Sequence, residues 1–77
     1  MAITVENVMD AKNNAVKAHC GTCYKVLEKD EEGLDDYNED EAVTFMLSVA
    51  ERHVRKHPSH TPKVYVYHKK PRGEMVP

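Results

Sequence analysis

Tryptophan is absent from the 77-residue chain, phenylalanine occurs once, and there are only three glycines and two cysteines. Each scarcity excludes something. The hydrophobic fraction of 40% counts Ala, Cys and Tyr, so the apolar core is thin. A single domain of this length has little margin from burial alone and calls for a staple. Two cysteines exclude a multi-disulfide scaffold. A bond between Cys20 and Cys23 would close a loop too short to restrain the unfolded chain. Nowhere do about 18 apolar residues follow one another, so no segment reads as a membrane-spanning helix. Met1-Ala-Ile-Thr-Val-Glu6 lacks the basic start and apolar run of a secretory leader. Reduced thiols without an export signal give the expectation of a cytoplasmic protein, in the producing cell or in a host cell.

What the chain does have is concentrated. Cys20-Gly-Thr-Cys23 holds both cysteines, and His53-Val-Arg-Lys-His57 places two of the five histidines one helical turn apart. Two thiolates on a tight turn and two imidazoles on one helix face make a tetrahedral N/S donor set, which suits a closed structural Zn2+ site. The expected ligands are Cys20, Cys23, His53 and His57, with His60 as a competing ligand borne on the following turn. Two readings compete with metal. The cysteines can be buried free thiols beside helix-end histidines that meet the last carbonyls, or they can form a redox dithiol. The dithiol reading wants a helix after the first cysteine, and a strand pattern follows instead.

Charge is asymmetric. The net charge is −2, yet residues 1–41 carry 4 basic and 11 acidic side chains and residues 42–77 carry 7 basic and 2 acidic ones. The total therefore says little about partners.

Local patterns predict an α+β domain: a β-hairpin knuckle, one long helix and a further C-terminal strand. Residues 1–14 leave a short helix capped by Thr4 and a strand both open, with an extended segment preferred. Ala15–Cys20 and Cys23–Glu28 alternate as two strands around the Gly21-Thr22 turn, where Gly21 can take a positive φ. Lys29–Asp40 is dense in acid and reads as a solvated loop anchored by Leu34 and Tyr37. Asn38 is the expected N-cap of a helix over Glu39–Lys56, with Glu39, Asp40 and Glu41 in the positive first turn. Ala42, Met46, Val49, Ala50, His53 and His57 share one face at 100° per residue. Pro58 stops the helix. Val64–His68 is a strand that buries either Val64 and Val66 or Tyr65 and Tyr67. The domain spans residues 1–68, and residues 69–77 form a basic flexible tail.

With these residues in place the chain resembles a Cys2His2 zinc finger in its ββα form. Cys20 and Cys23 match the knuckle pair, Phe45 with Val49 or Ala50 the helix core positions, and His53 and His57 the H-x3-H pair. The chain departs from the family in the 29 residues between Cys23 and His53 and in the added strand Val64–His68. It is similar in style to the small, divergent zinc-finger proteins of phages and bacteria. The resemblance implies a zinc-stapled fold, and the family's DNA reading by the N-terminal half of the helix. Here that half is Glu39-Asp40-Glu41-Ala42-Val43-Thr44, which phosphates repel and which holds no Arg or Lys to grip guanine.

The functional expectation is a non-enzymatic, regulatory zinc-binding module. Val54 stands where a helical zinc-protease motif needs Glu, and four protein ligands leave no water to activate. Its partner is expected to be a protein with a basic surface, met by Glu31, Glu32, Asp35, Asp36, Glu39 and Asp40. The alternative is nucleic acid, met by Arg52, Arg55, Lys56, Lys63, Lys69, Lys70 and Arg72 as one basic face. No membrane contact is expected.

Overall fold

A computed structural model describes residues 3–32 and 37–69. Thr4–Ala11 forms strand β1, Ala15–Cys20 strand β2, Lys25–Glu31 strand β3, Glu39–Lys56 helix α1 and Pro62–Lys69 strand β4. The N-terminal segment, open between helix and strand in the sequence, is thus extended. It breaks register between Val8 and Ala11, where Asp10 takes a φ of 63°, a conformation its short polar side chain tolerates.

The four strands make one sheet in the order β1-β4-β2-β3. β4 lies inside the sheet, parallel to β1 and antiparallel to β2, while β2 and β3 form the antiparallel hairpin. Its proline does no harm, because Pro62 is the first residue of the strand, opposite Cys20. Of the two alternatives for β4, the valines win. Val64 and Val66 are buried with Val16 and Ala18 of β2, and Tyr65 and Tyr67 face the other way.

α1 lies across this valine face and packs on β2, β4 and β3 but not on β1. Asn38 caps it by accepting a 3.1 Å hydrogen bond from the Glu41 N–H. Ala42, Met46, Ala50 and Val54 are its buried residues, an i, i+4 stripe. Alanines at 18, 42 and 50 let helix and sheet approach, and Met46, fully buried, fills the space between them.

Several sequence expectations are corrected here. Phe45 was matched to the helix core but is 47% exposed, because it sits about 100° around the helix from Met46 at the centre of the stripe. β3 begins at Lys25 and runs to Glu31, so Lys29–Glu31 are strand and not loop. Lys29 pairs opposite Lys17 and Glu31 opposite Ala15, and a 3.3 Å ion pair joins Lys29 to Glu31 along one face. Asn14 then holds the strand's end, exchanging backbone and side-chain hydrogen bonds with Glu32. Tyr37 packs against the core as expected. Leu34, Asp35, Asp36, Lys70 and Arg72 lie outside the described residues.

Candidate metal centre

Three pieces of chain meet at one end of the sheet. The β2–β3 turn brings Cys20 and Cys23, the last turns of α1 bring His53, and the link from α1 to β4 brings His60. The turn is closed by the Tyr24 N–H donating to the Cys20 carbonyl at 2.8 Å. That closure needs a left-handed residue at its end, and Tyr24 supplies it with a φ of 59°. Gly21, expected to take the positive φ, does not, and a Cβ there would meet open space.

The four potential ligand atoms of Cys20, Cys23, His53 and His60 all lie within 4.8 Å of one another. His60 Nδ1 is 3.6 Å from Cys20 Sγ and 3.3 Å from Cys23 Sγ. His53 Nε2 is 3.5 Å from Cys23 Sγ and 3.0 Å from His60 Nδ1. Zn–S bonds of about 2.3 Å and Zn–N bonds of about 2.0–2.1 Å give tetrahedral edges of roughly 3.6 Å between S and N and 3.4 Å between two N atoms. These four edges fall within a few tenths of an ångström of those values, and the remaining two, between Cys20 and each of Cys23 and His53, are no longer than 4.8 Å. The group therefore fits a tetrahedral metal ion, and no carboxylate belongs to it among the described residues.

His57 is outside the group, and His60, the expected competitor, holds the fourth corner. His57 is the C-cap residue, at φ −134° and ψ 79°, so the chain has already left helical geometry. It is exposed, and its ring stacks on that of His60 with centroids 4.7 Å apart and planes 17° apart. Two hydrogen bonds carry the chain around it. The His57 N–H donates to the His53 carbonyl at 2.8 Å, and the His60 N–H donates to the His57 carbonyl at 2.9 Å. The Thr61 N–H then donates to Thr22 Oγ1 at 3.2 Å, clamping the histidine segment to the cysteine turn.

Electrostatics favour the ligating forms at two corners. Burial pushes the Cys20 thiol up, but hydrogen bonds from Cys23 and Thr22 outweigh it and the net shift is down. The Cys23 N–H, for one, donates to Cys20 Sγ at 3.4 Å. Burial, and then the neighbouring Cys20, push the Cys23 thiol up. Burial and the adjacent His57 and His60 push His53 down, which keeps its imidazole neutral and its lone pair available. Two sulfurs side by side resist double ionisation, and a divalent cation between them removes that resistance.

The other expected site residues are scattered. Glu39 and Asp40 occupy the first turn of α1, and Glu32 sits beside Asn14. Glu31 shares the open sheet face with Lys29. The basic residues do not form one face. Arg52, Arg55 and Lys56 lie on the exposed side of α1, while the sheet register places Lys63 and Lys69 on the side of β4 away from the helix. Lys63 is moreover paired with Glu6 at 2.9 Å.

Fold and site together define a small α+β domain with a Cys2His2 group suited to a metal ion. No protein-family model, curated protein or solved structure matches the chain. No helix among the described residues is long and apolar enough to cross a membrane.

Proposed function

We propose that the chain is a non-enzymatic zinc module of the Cys2His2 finger kind, acting in regulation by binding a basic protein surface. The zinc would be held by Cys20, Cys23, His53 and His60 and would supply folding stability rather than reactivity, since four protein ligands leave no open position. Val54, buried in the core, offers no general base at the helix motif. Cys20 is fully buried, which disfavours the thiol-exchange reading.

One observation carries the partner's chemistry. Acids from the end of β3 and the start of α1 converge on Tyr37. Its hydroxyl is buried without a hydrogen-bond partner among the described residues. Burial first, then Glu39, Asp30 and Glu32, push its ionisation up. These charges come from two neighbouring segments, the end of β3 and the start of α1, and together with Asp40 and Glu41 they make a negative field that steers a basic partner. Replacing Glu32, Glu39 and Asp40 by Gln, Gln and Asn should abolish capture of a basic protein from lysate of the source cells. The variant should still bind one zinc and keep its helical circular dichroism. Undiminished capture by the triple variant would sink the reading.

A further inference from the structure

Among the described residues no element covers the side of the sheet away from α1, and its composition differs from the rest of the surface. Tyr65 and Tyr67 stand two residues apart on β4, with ring centroids 6.4 Å apart. His19 of β2 meets Tyr65 edge-on at 6.0 Å, and the Lys17 ammonium lies 4.8 Å from the Tyr67 ring centroid. Val26 joins these four around one shallow depression. The two tyrosines, His19 and Lys17 are all half-buried, held against the strands with part of each side chain open to solvent. Register puts four lysines on this face: Lys17 and Lys29 opposite one another on β2 and β3, and Lys63 and Lys69 on β4. The two glutamates that pairing places there, Glu6 and Glu31, are each within ion-pair distance of one of these lysines. Lys17 and Lys69 have no acidic partner among the described residues. In a chain of net charge −2, this is a positive aromatic island.

We infer that this face binds single-stranded nucleic acid, stacking bases on Tyr65, Tyr67 and His19 and holding phosphates with Lys17, Lys69 and the rims of the two ion pairs. Aromatic rings half-buried in a sheet lose little freedom when a base covers them, and every base has a π-face to offer. Charge complementarity favours this occupant over a second copy of the acidic chain's own basic face, and the aromatic cluster favours it over an acidic peptide. The inference uses the opposite side of the molecule from the acids around Tyr37 and stands independently of them.

The test is fluorescence anisotropy of a fluorescein-labelled, mixed-sequence 12-nucleotide single-stranded DNA titrated with the zinc-loaded full chain at low salt. Saturable binding is expected, with quenching of tyrosine emission. Tyr65→Leu combined with Tyr67→Leu keeps the sheet covered but removes the rings, and should weaken binding at least about tenfold. The corresponding double Phe variant should stay within about twofold of wild type. Lys69→Gln, at an exposed position, and Lys17→Gln, which gives up only the ammonium over the Tyr67 ring, should each flatten the slope of log affinity against log salt by about 0.7. Absence of binding, or binding indifferent to both the Leu and the Gln variants, overturns the inference. So does equal competition by a polyglutamate peptide, and so does a sedimentation result in which the same face is sealed in a dimer that the oligonucleotide does not open.

Discussion

At the scale of single residues, His57 and His60 pose the sharpest question, because both rings sit within 5.1 Å of His53 and only one points a nitrogen at the cysteines. His60→Ala removes a corner of the tetrahedron and should lower zinc affinity more than about 100-fold. His57→Ala removes a ring that only stacks on a ligand, and should cost no more than about tenfold, the lower range of an outer contact. Competition with a chromophoric chelator measures both, and equal losses would restore His57 to the ligand set. The contrast also says what was legible. Cys20, Cys23 and His53 could be read because a turn spacing and a helix face are local facts. His60 owes its place to the pairing of Cys20 with Pro62, a contact 42 residues apart in sequence. Its sequence cue was that the turn after the helix bears it close to His57, which made it a competing ligand. Tyr24 is a similar case. Glycine is the residue that most easily takes a positive φ, so Gly21 was the natural choice, yet the hydrogen bond from Tyr24 to Cys20 fixes where in the turn that conformation falls.

At the scale of elements, α1 was readable to the residue, since its cap, acidic first turn, apolar period and terminating proline agree with one another. Its period placed Ala42, Met46 and Ala50 at the centre of the buried face. Phe45 entered only through the resemblance to the Cys2His2 finger, and the observed stripe of Ala42, Met46, Ala50 and Val54 leaves it at the margin. The two positions should therefore respond differently to truncation. Met46→Ala empties a fully buried site between Val16 and Val64, and should cost about 2–5 kcal/mol. Phe45→Ala removes a ring already half in water, and should cost less than about 1 kcal/mol. Urea unfolding of the zinc-loaded protein, followed at 222 nm, reads both, and a Phe45 loss as large as that of Met46 would mean the stripe is misplaced. The end of β3 was missed for a different reason. Its acidic run is unfavourable for a buried strand, but β3 is an edge strand, where charge is tolerated and discourages further pairing.

At the scale of the whole molecule, the question is what holds two halves together that share so little apolar surface. The core cluster of Val16, Ala18, Ala42, Met46, Ala50, Val64 and Val66 is nearly half alanine, and β1 has no packing from the helix. Its parallel pairing with β4 joins the two ends of the described chain, a long-range closure that no local pattern announced. The cysteine–histidine group lies at one end of this arrangement. It ties the β2–β3 turn, the end of α1 and the approach to β4 at one point, restraining chain segments from residue 20 to residue 60. Binding free energies of about 10–16 kcal/mol have been found for structural zinc in small domains, comparable with or larger than the stability of a whole domain this size. Without a metal the group is two neighbouring thiols, one favouring ionisation, and a desolvated His53 that resists protonation. Excess chelator at neutral pH should therefore collapse the helical signal of α1 in one cooperative step, and stoichiometric Zn2+ should restore it. A chain that keeps its helical signal and a sharp thermal transition in chelator would show that Met46 and the valine face suffice. The cysteines would then be free for a different chemistry.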